Sequence, residues 1–122
     1  MEIAFKASSV ETYKEYNVVL ITHFDNECDH YLQIQGNEGY KEDISIGYTY
    51  VEIDDQGISS YDNFSVVELD RNHIKIEFLE SKKMGDISSV YVTFDVNDEE
   101  YKVLVAYLTK SFRFNNELHV TT

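Results

Sequence analysis

The chain has 122 residues, with 23 acidic side chains against 10 basic ones, a formal net charge of −13 and an apolar fraction of 43%. That length suits one domain spanning residues 1–122, and a strongly negative surface disfavours nucleic acid or an anionic membrane as partner. Ten Tyr and seven Phe exclude a disordered acidic tail, and no apolar run approaches the roughly 20 residues that span a bilayer.

Taken in chain order, Ile3 with Phe5 marks a first strand, and Val18-Val19-Leu20-Ile21, apolar on both faces, reads as a central one. Leu32 with Ile34 and Val51 with Ile53 mark two more. Turns are expected at Asp25-Asn26-Glu27, from Gly36 to Gly39, and at Asp54-Asp55-Gln56-Gly57, where glycine admits a positive φ. Next, Val67 and Leu69, then Ile74, Ile76 and Phe78, alternate with Glu68, His73, Lys75 and Glu77. The short Asp70-Arg71-Asn72 link makes these an antiparallel hairpin. Glu80 to Gly85 suits a helical turn capped by Gly85, and Val90, Val92, Phe94 and Val96 form the apolar side of a further strand. Asn97 followed by Glu100 has capping-box spacing, and Tyr101, Leu104, Val105, Leu108 and Phe112 then recur at helical spacing. Residues 114–122 are left as a frayed end or an added edge strand. The expected fold is α+β: an antiparallel sheet of six or seven strands with one C-terminal helix packed on one face.

The charge is uneven. Residues 1–62 carry 13 Asp or Glu against 3 Lys, a net of −10, whereas residues 63–122 carry 10 acids and 7 bases, a net of −3. Opposite fields steer association, so the acidic half implies a basic partner. Tyr31, Tyr40, Tyr48, Tyr50 and Tyr61 lie in that half, and tyrosine offers a large rigid surface with a polar tip, suited both to cores and to protein interfaces.

Catalytic signals are weak. Cys28-Asp29-His30 with His23 is the one cluster of soft ligands, two donors short of a convincing zinc site, and the carboxylates around Cys28 disfavour its thiolate. A lone cysteine forms no internal disulfide, in keeping with a reducing compartment. Carboxylate pairs abound in so acidic a chain, yet no nucleophile triad or phosphate-binding glycine loop accompanies them. The expectation is a non-enzymatic binding protein with no metal and no cofactor. The N-terminal Met1-Glu2-Ile3 lacks the basic and apolar blocks of a leader, which points to the cytoplasm.

Several segments stand in a distinctive order: Tyr31-Leu32-Gln33-Ile34-Gln35, Asp43-Ile44-Ser45-Ile46-Gly47, Tyr50-Val51-Glu52-Ile53-Asp54-Asp55-Gln56, Tyr61 and Val67-Glu68-Leu69-Asp70-Arg71-Asn72. Together they resemble the immunity protein 10 family of bacterial polymorphic toxin systems. The likeness runs more weakly through the strand, acidic cap and helix ending in Phe112. After Tyr61 this chain has Asp62-Asn63 where the family's segment is Gly-rich. The resemblance implies a non-enzymatic inhibitor, encoded beside a delivered toxin, that protects its producer by binding that toxin. Dense charge and turns that rigid strands can position put the toxin contact on Glu42, Asp43, Tyr50, Glu52, Asp54, Asp55, Gln56, Tyr61 and Asp62. The rival reading for Glu52 is a solvated strand face, and for the Asp54 turn a role in building the hairpin. From another class, the alternative is a small-ligand or regulatory module using a pocket between sheet and helix.

Overall fold

The computed structural model describes residues 1–24, 30–36, 48–113 and 118–121. Ten strands and one α-helix occupy those residues: β1 (Glu2–Lys6), β2 (Ser9–Tyr13), β3 (Val18–His23), β4 (His30–Gly36), β5 (Thr49–Ile53), β6 (Asp55–Tyr61), β7 (Val66–Leu69), β8 (His73–Glu77), β9 (Ser89–Thr93), α1 (Asp98–Ser111) and β10 (Leu118–Val120). The class is α+β, but the strands divide into two five-stranded sheets. One is the antiparallel meander β2-β3-β4-β5-β6, and the other has the order β1-β9-β8-β7-β10.

The expectation of one antiparallel sheet of six or seven strands is corrected on two points. There are two sheets, and β1 pairs with β9, and β10 with β7, in parallel; of the two outcomes left open after the helix, Leu118–Val120 form the edge strand β10. The physical reason lies in the apolar surface to be covered. Each sheet has its own greasy face, carried by Val19, Ile21, Leu32, Ile34, Val51 and Ile53 in the meander and by Phe5, Val67, Leu69, Ile74, Ile76, Val90 and Val92 in the other. One helical stripe covers too little to bury both. The two faces join Leu104, Leu108 and Phe112 of the helical segment in a single buried cluster.

Local signals behave as the residues dictate. β7 and β8 form the antiparallel hairpin, with the Asp70 carboxylate accepting from the Asn72 and His73 backbone N–H groups at 2.8 and 2.9 Å. A 3-10 turn at Ser81–Met84 ends on Gly85, whose φ of 59° is the left-handed value a glycine cap supplies. Asn97 caps α1, accepting from Glu100 N–H at 2.8 Å while the Glu100 carboxylate accepts from Asn97 N–H at 3.0 Å.

The helix lies against β2, β3 and β4. Its C-terminal end is tied to the inner face of the meander by buried polar groups. Thr49 Oγ1 donates to the Ser111 carbonyl at 2.6 Å, and Asn17 Nδ2 donates to Ser111 Oγ at 2.8 Å and to the Tyr107 carbonyl at 2.9 Å. These bonds satisfy helix-end carbonyls that would otherwise be stranded in the core. The arrangement leaves the opposite face of the meander with no described element over it. No helix among the described residues is long and apolar enough to cross a membrane.

Candidate functional site

Period-two alternation decides what the face of the meander opposite the core carries. With Val19, Ile21, Leu32, Ile34, Val51 and Ile53 buried, their neighbours Leu20, Tyr31, Gln33, Gln35, Tyr50 and Glu52 point outward and are half-buried among one another. The registers align them in rows. Glu11, Leu20, Gln33, Glu52 and Ser59 make one row across all five strands, and Tyr13, Val18, Gln35, Tyr50 and Tyr61 make the next. No Lys or Arg stands in either row. On the other sheet, the outward row of Glu68, Lys75 and Tyr91 mixes charges, and Lys75 pairs with Glu77 at 3.5 Å.

Glu52 and Glu11 are the carboxylates of these two rows, and Glu52 lies on the inner strand β5. The Tyr31 hydroxyl donates to its Oε2, and the Tyr50 hydroxyl donates to its Oε1. Tyr31 is diagonal to Glu52 on the neighbouring strand and Tyr50 is two residues before it, the two positions from which long side chains reach the same spot on one sheet face. Charge-assisted bonds of this kind run about twice the strength of neutral ones. Burial and then the bond to Glu52 push the Tyr31 hydroxyl well above its ordinary range. Tyr50 is raised by the same two causes in the same order. The Tyr50 ring also packs on Tyr61 across the strands, with centroids 5.1 Å apart at 55°, and Tyr61 is 39% exposed.

Two of the acids expected at a contact surface are turned inward onto backbone. Asp54 has a φ of 62°; its Oδ1 accepts from Tyr31 N–H at 2.9 Å, and its Oδ2 lies 2.9 Å from His30 Nδ1. The same histidine stacks on Phe5 with centroids 5.4 Å apart, so Asp54 fixes the start of β4 against β1. Asp62 has a φ of 53°, and its two oxygens accept from Tyr48 and Thr49 N–H, each at 3.0 Å, clamping the start of β5. Short polar side chains tolerate this left-handed backbone better than others, which accounts for Asp at both positions. At the β5–β6 corner Asp54, and not Gly57, takes the positive φ, because β6 already begins at Asp55.

Of the other expected contacts, Tyr50, Glu52 and Tyr61 share the outward face of the meander. Asp55 and Gln56 sit exposed at the hairpin end, where Asp55 Oδ1 accepts from Gly57 N–H at 2.7 Å. Glu42 and Asp43 lie outside the described residues, as do Cys28, Asp29 and Tyr40 and the expected turn at residues 25–27. Among the described residues no group of three His, Cys, Asp or Glu is placed to hold a metal ion. Tyr31, Gln33 and the β2 pair Glu11 and Tyr13 were not anticipated at the site. Tyr31 carries a local signal as the outward member of the Tyr31-Leu32-Gln33-Ile34 alternation, but its meeting with Glu52 depends on the pairing of β4 with β5.

Two open clefts lie between the meander and the helix among the described residues. One of about 230 Å³ has Val10, Thr12, Val103 and Leu104 on its walls, and another of about 350 Å³ lies among Lys14, Asn17, Tyr107 and Lys110. Sites for small organic ligands span roughly 300–1,000 Å³ and enclose most of the ligand. No protein-family model matches the chain, and comparison with curated proteins and with solved structures finds no similar one.

Proposed function

We propose that this protein is an immunity protein that binds one cognate bacterial toxin domain in the cytoplasm and neutralises it by covering a basic functional surface with the open face of the meander. One observation carries the reading: a five-stranded face bears tyrosine, glutamine and glutamate in register, with no base in those rows among the described residues. Interfaces favour tyrosine as an anchor, and complementary fields raise association rates above the unsteered ~10⁵–10⁶ M⁻¹s⁻¹. The likeness of residues 31–78 to the immunity protein 10 family points the same way. Within the expected contact set, Tyr50, Glu52, Asp55, Gln56 and Tyr61 meet the partner, while Asp54 and Asp62 hold the strands that present them.

The small-ligand alternative draws less support, because these spaces between sheet and helix are open clefts. The experiment is co-expression of this chain with the C-terminal domain of the polypeptide encoded beside it. Growth arrest by that domain alone, rescue by this chain and co-purification of the pair are the expected results. A harmless neighbour, or arrest without rescue, would overturn the proposal.

A further inference from the structure

We infer that Glu52, held between Tyr31 and Tyr50, is a preformed receptor for a single guanidinium group of the partner. The identity of that partner rests on the sheet-face reading above; the receptor itself rests on geometry. A glutamate that merely wets a strand face samples several rotamers and loses that freedom when a cation docks on it. Here two phenolic hydroxyls, one on each carboxylate oxygen, aim the group before any partner arrives. No cationic side chain among the described residues neutralises it: there Arg71 pairs with Asp98 and lysines pair with Glu77, Glu80 and Glu99, while His30 and His73 bond to Asp54 and Asp70. The two hydroxyls call for an acceptor on each terminal atom of the side chain, which the two oxygens of Glu52 supply and a glutamine amide, with one oxygen and one NH2, does not.

The geometry selects guanidinium over ammonium. A carboxylate oxygen has two lone pairs, so after one phenol each, both oxygens of Glu52 keep an acceptor site. A planar fork needs one acceptor on each oxygen, which a compact ammonium does not exploit. The tilted Tyr50–Tyr61 pair beside it supplies ring faces on which the fork can stack, and Tyr61 is exposed enough to be reached. Tyr31 and Tyr50 are positioning residues in this account, and Glu52 makes the contact.

Two measurements test the inference. In the first, the isolated chain is titrated with ethylguanidinium and, separately, with ethylammonium, and followed by NMR. Shifts are expected at Tyr31, Tyr50 and Glu52, saturating at lower concentration for ethylguanidinium, absent in Glu52→Gln and weakened in the Tyr31→Phe/Tyr50→Phe pair, which keeps the charge and loses its positioning. Shifts spread evenly over Glu68, Asp55 and Glu52, equal response to the two cations, or persistence in Glu52→Gln would overturn it. In the second, the toxin domain identified by co-expression is bound to wild type, Glu52→Gln and Asp55→Asn. Glu52→Gln is expected to weaken binding by at least about tenfold, as for a central anchor, and Asp55→Asn far less. A toxin domain that binds Glu52→Gln as tightly as wild type overturns the receptor and leaves the immunity reading standing. A neighbour that binds no form of the chain overturns the immunity reading, and the titration still decides the receptor.

Discussion

Asp54→Ala separates a scaffold residue from a contact residue. The substitution removes the acceptor of the Tyr31 N–H at 2.9 Å and of His30 Nδ1 at 2.9 Å, and it leaves alanine at a φ of 62°. Stranding a partly buried backbone donor costs ~1–3 kcal/mol. The left-handed backbone adds up to ~1 kcal/mol, because alanine lacks the short polar group that lets Asp tolerate it. The expected loss is therefore ~1–4 kcal/mol, which at a urea slope of about 2 kcal/mol/M lowers the midpoint by ~0.5–2 M. Asp55→Ala, next in the chain but exposed and bonded only to its own turn, should change stability by less than about 0.5 kcal/mol. Urea unfolding followed by circular dichroism, with the slope unchanged between variants, reads both. An Asp54→Ala midpoint equal to that of Asp55→Ala, together with weakened toxin binding, would refute the scaffold assignment and return Asp54 to the contact surface.

The remaining predictions concern the tyrosine–glutamate network and the helix seat. Because Tyr31 and Tyr50 have hydroxyls raised above the ordinary value near 10, the folded state favours their neutral form; their contribution to stability is intact below about pH 10 and is lost as pH rises above it. Tyr31→Phe should flatten the alkaline fall in urea midpoint, and Glu52→Gln should bring phenolate absorbance from these tyrosines to lower pH. Gly36→Ala would place a Cβ 3.2 Å from Ser111 Cα, so the usual gain from replacing a strand glycine gives way to a loss of ~1–3 kcal/mol, measurable by thermal unfolding. Asn97→Ala removes the 2.8 Å bond from Glu100 N–H and should cost ~1 kcal/mol by the same measurement.

What could be read from the residues was whatever a strong local period announces. The β7–β8 hairpin, β9, the cores of β3, β4 and β5, the Gly85 cap and the Asn97 box all follow from apolar alternation or from side chains that bond their own backbone. β2, as Ser9-Val10-Glu11-Thr12-Tyr13, and β6, as Asp55-Gln56-Gly57-Ile58-Ser59-Ser60-Tyr61, are edge strands with few apolar residues, so the ladder to an inner neighbour makes them strands and composition does not. The split into two sheets hinges on β1 joining β9 and β10 joining β7, pairings far apart in sequence that no window of residues contains. That Tyr50, Glu52 and Tyr61 share the outward face of one sheet follows from alternation and from the pairing of β5 with β6. The inward duty of Asp54 and Asp62 was not, because an acidic turn looks alike whether its carboxylates face solvent or backbone amides.

Under the proposed immunity role, that distinction changes how the −10 of residues 1–62 would act. A long-range field sums every carboxylate, including Asp54 and Asp62 with their oxygens already engaged, whereas a short-range anchor needs an outward group that is free to accept. The two roles separate in the rates. Asp55→Lys, which alters an exposed charge and leaves the strand clamps whole, should slow association with the toxin domain several-fold at low salt and flatten the salt dependence, with dissociation nearly unchanged. Glu52→Gln should act mainly by speeding dissociation, since it removes a contact made only in the bound state. Stopped-flow binding at two ionic strengths resolves the pair. If both substitutions act on dissociation alone, the acidic half contributes contacts without steering; if both act on association alone, Glu52 is one more unit of field and the face has no central anchor.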